Sequence, residues 1–65
     1  MKIIYNGQTR DVAAQTVVAL LEELSLPARH VAVEVNERVV PRPQHAEFVL
    51  RDGDRLEVVT LAGGG

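Results

Sequence analysis

Apolar and polar positions change period along the chain, and each change marks an element. Met1-Lys2-Ile3-Ile4-Tyr5 is rich in β-branched and aromatic residues, and Asn6-Gly7 is the residue pair that a two-residue type I′ turn requires. A β-hairpin is predicted, with Gln8 to Val12 returning antiparallel. Alternation places Met1, Ile3 and Tyr5 inward and leaves Ile4 on the outer face. Val17, Leu20, Leu21 and Leu24 then fall at i, i+3, i+4 and i+7, the stripe of an amphipathic helix, with Thr16 as N-cap and Pro27 ending it. Val31-Ala32-Val33-Glu34-Val35 alternates strictly, Asn36-Glu37 turns the chain, and Arg38-Val39-Val40 pairs back.

Pro41 and Pro43 remove backbone donors and end that strand, and Gln44 to Leu50 has room for a short helical turn. Asp52-Gly53-Asp54 reverses the chain into a closing strand, Arg55 to Leu61, with Leu56 and Val58 inward and Val59 and Leu61 on the opposite face. The order ββαββ, short helix, β predicts an α+β domain: a mixed sheet packed on one main helix, because neither hairpin alone buries enough to be stable. The closing strand is expected at the centre, parallel to the first, which is the β-grasp arrangement.

The charge and residue content narrow the function. Sixty-five residues allow one core, and the absence of cysteine excludes disulfides, thiolate metal sites and a cysteine nucleophile. A cytoplasmic location is expected from that absence and from the lack of an export signal or membrane-spanning run, the longest apolar stretch being Val17 to Leu21. Net charge is −2, with acids and bases interspersed, and one Tyr, one Phe and no Trp offer no stacking platform, so neither nucleic acid nor membrane is an expected partner.

Candidate chemistry within the body of the domain is thin. His30 and His45 lack the paired spacing of a metal site and read as surface histidines. Asp52-Gly53-Asp54 lacks the remaining ligands of a calcium loop. Ser25 forms no nucleophile-base set with the histidines and reads as a helix-ending residue, while Glu22 and Glu23 read as a solvated helix face. No metal site and no catalytic residue are expected.

The remaining stretch is Ala62-Gly63-Gly64-Gly65. Three consecutive glycines have no side chain to bury, so the chain divides into a domain over 1–61 and a flexible tail over 62–65. With Gly65 last, the tail's chemical asset is its carboxylate, which a slim arm can carry into a narrow channel. A frayed end is the alternative reading.

Together, Asn6-Gly7, Gln15-Thr16-Val17, Asn36 through Val39-Val40-Pro41-Arg42, the run Asp52 to Val59 and the Gly63-Gly64-Gly65 end resemble the ThiS family, the sulfur carriers of thiamine biosynthesis. The likeness spans the whole chain and implies the ubiquitin-like fold. It implies a carrier and not an enzyme. The resemblance further implies that a ThiF-like adenylyltransferase, using ATP and magnesium, joins AMP to the carboxylate of Gly65, that sulfur from a cysteine-desulfurase-derived persulfide replaces AMP, and that a ThiG-like thiazole synthase takes sulfur from the resulting thiocarboxylate. On the same resemblance, Gly63 and Gly64, with Ala62, are expected to thread into each partner, and the chain itself is expected to bind no cofactor. Two positions depart from the family pattern: Pro43-Gln44-His45 where many relatives have an aromatic residue, and Ala62 where valine is usual.

Ile4, Val59 and Leu61 form the candidate docking patch at the root of the arm, and Arg42 is read equally as an ion-pair residue or a partner contact. Three rival functions stand beside this one. They are a molybdopterin-synthase small subunit or other sulfur carrier, a ubiquitin-like modifier conjugated through Gly65, and a β-grasp interaction module with an idle tail.

Overall fold

The computed structural model describes residues 1–61. Strands β1 (Lys2–Tyr5) and β2 (Gln8–Asp11) pair antiparallel with Tyr5 opposite Gln8, so Asn6 and Gly7 alone make the turn. Their φ values of 47° and 83° are those of the predicted type I′ geometry. Helix α1 (Val17–Glu23) follows, then a 3-10 turn over Ala28–His30, then β3 (Val31–Val35) and β4 (Arg38–Val39). A second 3-10 turn, Arg42–Gln44, precedes β5 (Arg55–Thr60). The sheet order is β2-β1-β5-β3-β4, with β5 parallel to β1 and antiparallel to β3. The last strand is therefore central, as the β-grasp reading expects.

The core lies between α1 and one sheet face. Val17, Leu20 and Leu21 of the helix meet Ile3, Val33 and Leu56 of the three inner strands, all at most 1% exposed. Burying side chains of this size contributes roughly 1.5–3 kcal/mol each, and in a domain this small the loss of any one is severe. Among the described residues no helix is long and apolar enough to cross a membrane.

Both ends of α1 are closed by specific bonds. At the N-terminus, Thr16 Oγ1 accepts from the Ala19 N–H at 3.2 Å, as its capping role predicts. The two amides before it donate to the crossover segment, Val17 to the Phe48 carbonyl and Val18 to that of His45. At the C-terminus the chain leaves through Ser25 at φ 58°, with the Ser25 and Leu26 amides returning to the Glu22 and Leu21 carbonyls. This is a Schellman closure with serine where glycine is usual. Pro27 therefore opens the 3-10 turn that follows, after Ser25 has already ended the helix.

Several sequence expectations are corrected. The short helical turn starts earlier than Gln44, as a 3-10 turn over Arg42–Gln44, because Pro43 sets the φ that a first helical turn needs, and the Glu47 and Phe48 amides continue it by donating to the Gln44 carbonyl. Glu23 is not merely a solvated residue: its carboxylate accepts from the Ala13 and Ala14 amides, with the shortest contact at 2.9 Å, and ties the β2-to-α1 connection to the helix. His45 is no surface histidine, being 3% exposed. Its Nε2 lies 2.9 Å from the Val40 carbonyl, which can only accept, so Nε2 carries the proton and Nδ1 is left bare and buried without a partner. The imidazole thus packs inside the domain.

Candidate functional site

β5, the last described strand, is held from both sides. Toward β3, paired residues run from Val35 opposite Leu56 to Val31 opposite Thr60, and the Leu61 amide extends the ladder by donating to the His30 carbonyl at 2.8 Å. Toward β1, strand pairing stops at Tyr5 opposite Leu56. The Asn6 side chain then continues it. Val58 N–H donates to Asn6 Oδ1 at 2.8 Å, and Asn6 Nδ2 donates to the Val58 carbonyl at 3.1 Å. One amide side chain does the work of a further strand residue.

A second asparagine clamps the start of the same strand. Asn36, at φ 52° in the β3–β4 turn, accepts at Oδ1 from the Arg55 N–H at 3.0 Å and donates through Nδ2 to Asp54. The Asp-Gly-Asp turn is consumed by the fold in the same way. Asp52 accepts from the Lys2 amide, Asp54 accepts from the Arg51 amide, and Gly53 sits at φ 88°. Those carboxylates are structural, and among the described residues no cluster of histidine and acidic side chains is arranged to hold a metal ion.

Among the described residues the exposed large apolar side chains are Val39, Val59 and Leu61 on the face of the sheet away from α1, and Val49 in the crossover before β5. Leu56 and Val58 are buried, so Arg55, Glu57, Val59 and Leu61 point outward, as the alternation predicts. Val59 is 54% exposed and lies opposite Ala32, and Leu61 is 46% exposed at the rim. Val39 of β4, opposite Glu34, is 68% exposed on the same face.

Ile4 also lies on this face but not at the arm's root. It pairs with Arg55, at the opposite end of β5, so about 13 Å of strand separates it from the level of Val59 and about 20 Å from that of Leu61. Ile4 is half-buried rather than open. Arg42 sits in the crossover after β4, exposed, and among the described residues it forms no ion pair. The structure brings Val59 and Leu61 together and leaves Ile4 and Arg42 apart from them. Ala62, Gly63, Gly64 and Gly65 lie outside the described residues. Asn6 and Asn36 were read only as turn residues from the sequence; both precede a strand reversal, but nothing local shows that their amides reach β5.

The arrangement has no convergent acid, base or nucleophile among the described residues. A shallow depression of about 290 Å³ over Gln44, Glu47 and Phe48 brings together no set of reactive groups. What the fold offers is a rigid central strand running out to the rim, an exposed apolar strip beside it, and the glycine stretch following in sequence.

Comparison with known proteins gives a consistent picture. The model of the ThiS family matches residues 3–65. The chain is 38% identical over 66 residues to the sulfur carrier protein ThiS of Escherichia coli, covering all of both chains. It is 47% identical over 66 residues to the thiazole synthase of Paramagnetospirillum magneticum, covering all of this chain but only 20% of that longer protein. The crystal structure of the thiamine biosynthesis protein ThiS from Geobacter metallireducens superposes with a TM-score of 0.86 at 32% identity, covering both chains fully.

Proposed function

The chain belongs to the ThiS family of sulfur carriers, and from that premise we propose that the carboxyl group of Gly65 is adenylated, converted to a thiocarboxylate and used as the sulfur source for thiazole formation. The observation that carries this reading is the extent of the family match, which runs through Gly63, Gly64 and Gly65 instead of stopping with the folded body.

The chemistry requires little from the carrier beyond presentation. A carboxylate resists attack because its resonance is lost and oxide is a poor leaving group. An activating enzyme of the ThiF type, holding ATP and magnesium, supplies AMP as the leaving group and releases pyrophosphate. A persulfide sulfur then attacks the acyl carbon and displaces AMP, and a thiol cleaves the sulfur–sulfur bond to leave the thiocarboxylate. The carrier's own residues position the arm. β5 is held by β3 on one side and by β1 and Asn6 on the other, so the strand leading to the tail is ordered before any partner binds, which lowers the ordering cost of docking. Glycines at 63–65 present no side chain to a narrow channel.

The proposed acceptor is a ThiG-like thiazole synthase. A segment similar to this chain forms part of the Paramagnetospirillum magneticum thiazole synthase, which supports a working relationship between the two activities. In this reading the unit over 62–65 is a delivery tail, Val59 and Leu61 are docking residues, the chain carries no cofactor of its own, and the cytoplasm is where it works.

Intact-mass analysis after incubation with ATP, magnesium, a ThiF-like adenylyltransferase and a persulfide donor tests the proposal. One oxygen of the Gly65 carboxylate is replaced by sulfur, and a chain with one residue added after Gly65 stays unmodified. An unchanged wild-type mass, or equal modification of the extended chain, removes the reading.

A further inference from the structure

The register of the two inner strands sets Glu34 directly opposite Glu57. Each glutamate lies between two buried residues, Val33 and Val35 on β3 and Leu56 and Val58 on β5, so both carboxylates stand on the face turned away from the helix. Directly opposed side chains in an antiparallel pair have Cβ atoms about 4.5–5.5 Å apart, and like charges at that spacing oppose the pairing. Among the described residues neither carboxylate forms an ion pair. Among the described residues the one ion pair joins the Met1 amino group to Asp11, and Arg55, on the same face two residues before Glu57, reaches neither glutamate.

The isolated fold gains nothing from this arrangement, since an opposite charge at either position would favour the sheet. The surroundings are open, and they are apolar toward β4 and toward the end of β5. Val39 lies opposite Glu34 on the outer side, and Val59, paired with Ala32, is the next outward residue along β5 toward Leu61. A negative centre is therefore flanked by exposed hydrophobic side chains on a sheet face that no element among the described residues covers.

We propose that Glu34 and Glu57 form a receptor for one Arg or Lys side chain of the activating enzyme, with Val39, Val59 and Leu61 as the apolar rim. The inference rests on the sulfur-carrier reading and deepens it by assigning the chemistry of the partner's contact surface. Charge complementarity selects the occupant: a single cation relieves the repulsion between the two carboxylates, and a guanidinium fork bonds both at once. The rim excludes water on docking and strengthens that contact. Glu57 lies four residues before Leu61, about 13 Å along the strand, so an enzyme seating its cation there also covers the root of the arm.

The test compares wild type with Glu57→Gln and Glu57→Lys, measuring the carrier's thermal midpoint and its steady-state adenylation by a ThiF-like adenylyltransferase of the same organism. Glu57→Lys melts about 2–5 °C above wild type, because the like-charge pair becomes an opposite-charge pair. Its KM as substrate rises about tenfold or more while kcat changes less than twofold, with Glu57→Gln between the two. Wild-type KM increases with salt, and that of the Lys variant does not. A raised midpoint with unchanged KM, or a lowered midpoint, overturns the inference alone. Failure of the enzyme to adenylate wild type overturns the carrier reading and this inference with it.

Discussion

Asn6 is joined to Val58, fifty-two positions later in the chain, by a reciprocal pair of hydrogen bonds at 2.8 and 3.1 Å. The side chain of a turn residue thereby extends the pairing between β1 and β5 past the end of β1. Asn6 holds a left-handed φ of 47° at the same time, so one residue serves both the turn and the strand beside it.

Asn6→Gly separates the two roles, because glycine tolerates the positive φ but has no amide to offer. Loss of the two bonds lowers unfolding free energy by about 1–2 kcal/mol in urea titration. Asn6→Ala loses the favourable φ as well and is lower by a further ~1 kcal/mol. Hydrogen exchange at the Val58 amide accelerates more in both variants than exchange at Val33, if the local clamp is what has been removed.

Glu37 occupies φ 69° in the β3–β4 turn, where Cβ itself crowds the backbone carbonyl and carries a steric cost. Replacement by glycine relieves it. Glu37→Gly raises stability by about 0.5–1 kcal/mol, seen as a thermal midpoint higher by a few degrees. An unchanged or lower midpoint shows that the entropy of the unfolded glycine outweighs the strain.

His45 fills core volume and donates one bond to Val40 while its Nδ1 stays bare. His45→Ala opens a cavity and costs about 2–4 kcal/mol. His45→Phe keeps the ring, loses the bond to Val40 and removes the bare nitrogen, so the opposing effects leave stability within about 1.5 kcal/mol of wild type. Equal losses in the two variants indicate that the Val40 bond outweighs the packing.

Leu61 is exposed on the outer face, and its side chain is not needed by the core. Leu61→Asp folds with a midpoint within a few degrees of wild type, its side chain being at the surface. As a substrate for the adenylyltransferase it shows KM raised about tenfold, since a charge is forced into an apolar contact. Adenylation at the wild-type KM removes Leu61 from the docking surface.

The short-range content of the chain was legible without coordinates. Three successive periodicities, the Asn6-Gly7 pair, the Thr16 cap and the Asp-Gly-Asp reversal depend on residues within a few positions of one another, and each produced the expected element. The outward facing of Val59 and Leu61 followed from alternation alone. Ile4 shows where such reasoning stops. Its face was predictable, yet its place beside Arg55 and far from Leu61 depends on how two strands separated by half a hundred residues slide into register.

His45 and Glu23 illustrate the same boundary for polar residues. A lone histidine and a helix-surface glutamate resemble solvated side chains in sequence, and only the approach of Val40 and of the Ala13–Ala14 segment gives each its bonds. Sequence by itself determined which segments are strand, helix and turn, because local torsional preference and side-chain period act between near neighbours. Tertiary structure decided which amide completes β5, which histidine enters the core and which two carboxylates confront each other, because those outcomes follow from packing all the segments around one core at once.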